Sequence, residues 1–221
     1  MQASNHLIGF GNAKSMSKKY SLVLSFDDSL EDESIFNHEG DSLVLPTYSE
    51  DSRLGGYNDK SGLFTYDAYL DFPHHSTFNL GSNDFIIEMS VKLYGWPQNC
   101  GGFYAFNLAG HNTIDHGYGI MLTSTTFGIS VYKPAPVSDE HFRLTHDTPI
   151  ALNVWYDAFV SRESGILKIG FNGQTEEIDV GVNFVIDDVN TVFRIGKSWD
   201  VTYSYKYYGL IDNFKLYNGG N

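Results

Sequence analysis

The segment "GLIDNFKLYN" near the end of the chain sets an acid, Asp212, between Leu210 and Phe214. With the two-residue period of a β-strand, Leu210, Asp212, Phe214 and Leu216 share one face, and that face is otherwise apolar. A charged carboxylate in such a row is costly unless something meets it. Asp212 therefore requires a partner or only partial burial; backbone N–H groups, a turn to cap or a cation such as Lys206 would each serve. A second group is aromatic. Trp199, Tyr203, Tyr205 and Tyr207 crowd "SWDVTYSYKYYG", and Trp96 lies in "YGWPQNCGG". Rings on loops stack on the apolar faces of pyranoses while polar neighbours fix the hydroxyls, so these five are candidates for binding sugar. Alternating tyrosines at 203, 205 and 207 equally describe an edge strand packed against another subunit. The histidines at His74, His75, His111 and His116, the last two in "HNTIDH" with Asp115, lack a recognisable zinc spacing and are expected on the surface or in turns.

Strands must position these groups. "SLVLSF", "SLVLP", "LFTY" and "AYLDF" are short apolar runs between polar loops. "DFIIEMSVKL" alternates: Phe85, Ile87, Met89, Val91 and Leu93 take one face, and Glu88, Ser90 and Lys92 the other. That is the pattern of a half-buried antiparallel strand. "GFYAFNLAG", "YGIMLTS" and "TFGISVYK" predict a meander, which Pro134 and Pro136 interrupt. "VWYDAFVSR", "GILKIGFN" and "QTEEIDV" predict three consecutive strands, the last two joined by Asn172-Gly173, whose residues both tolerate positive φ. No long segment shows helical periodicity. Many short strands without helices predict two packed sheets or a barrel.

At 221 residues, with 42% hydrophobic and 15% aromatic residues, the chain can bury one large β core. A single domain is expected over 20–221, preceded by an arm at 1–19. Lys plus Arg number 14 against 27 Asp plus Glu, a net charge of -13, which disfavours nucleic acid and anionic membranes as partners. The lone Cys100 excludes an intrachain disulfide and a thiolate metal cluster. Residues 1–20 lack an unbroken apolar core, so neither a signal peptide nor a membrane span is expected there; a protein made in a cytoplasm, and used there or released from it by lysis, is expected, with an extracellular place as the alternative.

Several blocks in order carry a resemblance: "LVLSFDDSLEDES", "YLDFP" with "FNLGSNDFIIEMSVKL", "LNVWYDAFVSRESGILKIGFNGQ", and "FRIGKSWD" with "YYGLIDNFKLYN". From about Leu22 to Tyr217 the chain resembles laminin-G-like, or concanavalin A-like lectin/glucanase, domains. The resemblance implies an all-β jelly-roll sandwich of two antiparallel sheets. It also implies a calcium ion at Asp212, with Asp27 as the second ligand and Asp28 and Asp32 behind it. Calcium suits such a place because it takes several hard oxygens from distant segments. Forms of this kind are similar to domains on tailed-phage particles. The implied role is a virion module that binds cell-surface glycan or neighbouring virion proteins, or an assembly protein alone, or a lectin module of a cellular organism; a homo-oligomer fits these roles. Family 16 glycoside hydrolases share the fold and need two carboxyl groups about 5 Å apart for retaining hydrolysis. The nearest match, "EEIDVGV", offers Glu177 and Asp179 but has Val182 in place of the second glutamate, so no enzyme is expected.

Overall fold

The computed structural model describes residues 20–55, 59–96, 105–113, 116–133, 139–145, 150–198 and 206–220. Among these, the strands are β1 (Leu22–Leu24), β2 (Thr47–Ser49), β3 (Ser61–Phe64), β4 (Leu70–Phe72), β5 (Phe85–Leu93), β6 (Ala105–Asn112), β7 (Gly117–Thr123), β8 (Thr126–Tyr132), β9 (Glu140–Thr145), β10 (Trp155–Glu163), β11 (Ile166–Phe171), β12 (Gln174–Asp179), β13 (Phe193–Ile195) and β14 (Gly209–Asn218). A single 3-10 turn, Ser76–Phe78, is the other regular element among the described residues. The strands form two antiparallel sheets. The larger runs β12-β11-β10-β5-β14-β3-β2, with β1 also paired to β14; the smaller runs β4-β13-β6-β7-β8-β9. This is the two-sheet jelly-roll sandwich that the alternation and the resemblance imply. No helix among the described residues is long and apolar enough to cross a membrane.

The core lies where the inward rows of the two sheets meet. Phe85, Ile87, Met89, Val91 and Leu93 of β5 are all buried, opposite Ile120, Leu122, Phe127, Ile129 and Phe193 of the smaller sheet. Each such side chain contributes roughly 1.5–3 kcal/mol when fully buried. Two-residue hairpins set the register of β10, β11 and β12. Ser164-Gly165 and Asn172-Gly173 all have positive φ, and Glu163 opposes Ile166 as Phe171 opposes Gln174.

The structure adds a strand that the sequence reading lacks, β9, and departs from that reading at two predicted strands. "SLVLP" is not a strand: Leu43, Val44 and Leu45 are exposed, and pairing with β3 begins only at Thr47, after Pro46, which has no N–H to give a ladder. The second departure concerns Asp212. In β14, Asp212 opposes Ser90 of β5, but the next paired residue, Lys215, opposes Glu88. Asn213 and Phe214 thus face the single residue Met89, a β-bulge in which Asn213 takes φ 52°. The extra residue reverses the alternation. Ile211, Phe214 and Leu216 reach the core, whereas Leu210 and Asp212 share the outer face with their partners Lys92 and Ser90.

Candidate functional site

Asp212 is on the outer face, yet it is only 1% exposed, because the segment around residues 51–53 is bonded across that face. The Arg53 backbone N–H donates to Asp212 Oδ2 (2.9 Å), and the Arg53 guanidinium donates from Nε and Nη2 to both oxygens of Asp157 on β10 (2.9 and 2.8 Å). Ser90 Oγ also donates to Asp157 (2.8 Å), and Asp51 accepts from Lys92 and from the indole of Trp155. Burial pushes Asp157 up, but the Arg53 and Ser90 bonds outweigh it and hold the carboxyl below the usual range.

Asp212 lacks such help. Its Oδ1 is buried without a hydrogen-bond partner among the described residues. Burial, and then the neighbouring carboxylates of Asp59 and Asp27, push it up to about 6 against the N–H groups of Arg53 and Asn213. Asp27 follows β1 and accepts the Lys60 N–H (2.8 Å), while Asp59 precedes β3 and accepts from Ser52 Oγ (2.9 Å). The backbone around them is unusual: Phe26 and Asp28 flank Asp27 at φ 62° and 57°. Holding a bulky residue there costs of order 1–3 kcal/mol and marks a place that its surroundings over-determine. An orphaned carboxylate oxygen beside further carboxylates offers hard oxygens of the kind calcium takes. Side chains alone do not complete a cage, since no group of three or more His, Cys, Asp or Glu among the described residues is placed to hold a metal.

The other two acids read as ligands are placed differently. Asp28 is exposed and pairs with Lys60 (2.7 Å). Asp32 is buried, but its Oδ1 accepts the N–H of Val23 and Ser34, and its Oδ2 accepts Ser34 Oγ and the His38 N–H. Those four bonds fill the carboxylate, which ties its loop to β1 and corrects the reading of Asp32 as a metal ligand. Lys206, an alternative partner for Asp212, instead pairs with Asp67 (2.7 Å). Asp59 was missed by sequence reasoning; its signal was an acid in the turn leading to the strand beside β14.

The aromatic candidates divide as well. Tyr207 is fully buried, with its hydroxyl within reach of the carbonyls of Leu210 (2.8 Å) and Lys92 (3.1 Å). It belongs to the core, where no sugar can stack on its ring, and this corrects its reading as a ligand-binding residue; the cause is its place at the entry to β14. Trp199, Tyr203 and Tyr205, Cys100 and the arm at 1–19 lie outside the described residues. Trp96 is half-buried, and beside it stand rings that sequence reasoning missed. Tyr66 and Tyr208 have centroids 4.7 Å apart, Tyr94 meets Tyr208 edge-on at 5.8 Å, and Tyr66 Oη donates to the Trp96 carbonyl (3.2 Å). They come from three loops, so spacing in the chain gave no sign of them. This rim of partly exposed rings is suited to stacking on a sugar.

The histidines take structural places. His75 caps the 3-10 turn by accepting the Thr77 N–H, His111 is buried with Nε2 donating to the Thr191 carbonyl (3.1 Å), and His116 meets Asp187 (3.2 Å). Glu177 and Asp179 lie exposed on the outermost strand β12, where Glu177 pairs with Lys168.

The model for the concanavalin A-like lectin/glucanases superfamily, in its laminin-G type, matches residues 64–219. The chain belongs to this superfamily. No curated protein matches it by sequence. Solved superfamily-like folds do, at low identity. The binding domain of Paraclostridial Mosquitocidal Protein 1 aligns with a TM-score of 0.67 at 15% identity, over 91% of this chain and 48% of that one. Domain 4 of AbnA, a GH43 extracellular arabinanase from Geobacillus stearothermophilus, in complex with arabinotriose, gives 0.62 at 17%, over 91% and 93%. The binding domain of botulinum neurotoxin DC in complex with SialylT gives 0.61 at 14%, over 90% and 47%. The chain thus spans about half of those toxin binding domains and nearly all of the arabinanase domain. At these identities the likeness establishes the fold alone.

Proposed function

We propose that this chain is a non-catalytic binding module that recognises host-surface carbohydrate from a phage particle, on its tail or capsid. The observation that carries the binding reading is the rim formed by Tyr66, Tyr94, Trp96 and Tyr208, which presents tilted rings from three loops at one place. The likeness to an arabinanase domain in complex with arabinotriose and to a toxin binding domain in complex with SialylT supports carbohydrate as the ligand class. Exposure of Glu177 and Asp179 on an edge strand, with Val182 also exposed, supports a module without hydrolytic machinery. The virion location rests on the resemblance to domains of tailed-phage structural proteins, and a fold held by its core with one cysteine is consistent with it. Calcium at Asp212 and Asp27, with Asp59 beside them, serves the module as a tie between the first and last strands; the orphaned Asp212 Oδ1 supports this.

A glycan array followed by titration calorimetry tests the reading. Saturable binding that Tyr208→Ala reduces at least tenfold is the expected result. A second reading, docking onto neighbouring virion proteins, is favoured by the consecutive exposed Leu43, Val44 and Leu45. No glycan binding, together with stoichiometric association with a purified capsid or tail protein that Leu43→Ser abolishes, would replace the first reading by the second.

A further inference from the structure

The aromatic rim adjoins a cluster of cations that the acidic composition of the chain does not foreshadow. Lys197 and Lys206 form an isolated antiparallel bridge, so their side chains leave the backbone on the same side as direct neighbours. Arg194 stands three residues before Lys197, and its guanidinium lies 4.5 Å from the centre of the Tyr69 ring, while the Lys197 amine lies 5.1 Å from the same ring. Two of the three charges are matched. Arg194 donates to both oxygens of Asp71 (2.6 and 2.7 Å), and Lys206 pairs with Asp67. For Lys197 no carboxylate among the described residues lies within ion-pair reach; burial, followed by Lys206 and Arg194, holds its amine below the usual lysine range against the weaker pull of Asp67 and Asp71, which Lys206 and Arg194 already engage. Gly196 fixes this placement: at φ 90° any Cβ would lie 2.5 Å from the Phe64 ring.

One turn connects the two features. Ala68 N–H closes the turn on the Thr65 carbonyl (3.0 Å). From it, Tyr66 reaches Tyr208, Asp67 reaches Lys206, and Tyr69 lies under Arg194 and Lys197. A ligand stacked on the Tyr66 and Tyr208 rings is thus one turn away from an ammonium group that makes no ion pair among the described residues. Neutral sugars leave that ammonium unanswered, whereas a carboxylate on the sugar answers it with a charge-assisted hydrogen bond. From this juxtaposition we infer that the rim selects acidic sugars, with Lys197 contacting the carboxylate of a uronic or sialic acid residue and Tyr66 and Tyr208 stacking on its ring. This rests on the carbohydrate-binding reading and names its ligand class.

Calorimetric titration of the full chain with trigalacturonate and sialyllactose, beside the neutral maltotriose and lactose, tests it and distinguishes the two sources of carboxylate. At least one acidic probe is expected to bind tenfold or more tightly than its neutral counterpart, with affinity falling as salt rises from 50 to 300 mM. Lys197→Ala is expected to remove most of that preference while changing affinity for the neutral counterpart less than twofold; Tyr208→Ala is expected to weaken both. Equal affinity for acidic and neutral probes, or a preference that survives Lys197→Ala, overturns the inference and leaves the carbohydrate reading standing. Absence of binding by every probe, and by every sugar of a glycan array, overturns both.

Discussion

Like charges are crowded at two places in this molecule, and the two places differ in sign. Around Asp212 the carboxylates of Asp59 and Asp27 raise the cost of its charge, and one of its buried oxygens finds no donor among the described residues. Around Tyr69 the cations Arg194, Lys197 and Lys206 gather, and the Lys197 amine makes no ion pair among the described residues. Each arrangement costs folding free energy in the unliganded chain, since like charges repel and each group loses hydration. The difference lies in burial. Asp212 is covered, and its complement would be an ion held within the fold; Lys197 stands half-exposed, and its complement would be a group on an arriving ligand. An unanswered charge points to the sign of what completes it, and its depth points to whether the completion is structural or exchangeable.

Calcium distinguishes the two clusters most sharply. If calcium completes the Asp212 site, calcium at about 100 times its dissociation constant stabilises the native state by about 2.7 kcal/mol. For a domain of this size the thermal midpoint should then rise by roughly 5–10 °C over a sample in chelator, as read by scanning calorimetry. An unchanged midpoint removes the metal from the carboxylate side.

His111 supplies a reference for both clusters, because burial alone dominates its behaviour. Its ring is buried and held down to about 4, chiefly by desolvation, with Thr191 O, His74, Asp188 and Phe78 O as the neighbouring influences. A histidine depressed on folding contributes stability that is present above pH 6.5 and is lost as pH falls toward 4. That loss amounts to about 3 kcal/mol across the window. Urea melts at pH 7 and pH 4.5 should show it, and His111→Gln should flatten the profile.

Asp212 runs in the opposite direction. Its carboxyl is raised to about 6, so in metal-free protein its contribution is present below about pH 4 and is lost as pH rises through 6. Asp212→Asn retains an acceptor for Arg53 N–H and removes the charge. In chelator at pH 7 the variant should be more stable than the parent by about 1–3 kcal/mol, the gain should vanish by pH 4, and the response to calcium should disappear. A destabilised Asn variant would show that the carboxylate is already answered within the chain.

The smallest effect is expected on the cation side. Because Lys197 is half-exposed and has no ion pair among the described residues, Lys197→Ala should leave the thermal midpoint unchanged or slightly raised. A clear fall would mean that Lys197 supports the fold and would undo its role as an unanswered charge.

Much of this fold is legible in the chain. The strict alternation of Phe85 to Leu93 survives because β5 lies centrally, with a core on one side and polar cover on the other. The hairpin at Asn172-Gly173 is legible because its turn depends on two adjacent residues alone. The site is less legible. Asp212 stands out in the sequence as an acid among apolar neighbours, but a bulge at Asn213, invisible to a period-two reading, moves it to the outer face. Tyr207 looks like its neighbours at 203 and 205, yet its hydroxyl meets backbone carbonyls inside the fold. Tyr66 and Tyr208 are separated by most of the chain and meet only because the turn before β4 and the segment before β14 adjoin.

Local alternation and turn chemistry act over a few residues, and they were enough to specify an all-β sandwich, most of the strands that face its core, the Asn172-Gly173 turn and the excess of negative charge. The face that Asp212 occupies, the acids that crowd it, the tyrosines that reach solvent and the lysine that makes no ion pair among the described residues were set by the three-dimensional fold. Those outcomes depend on register and on contacts between segments more than a hundred residues apart, which no short window of sequence contains.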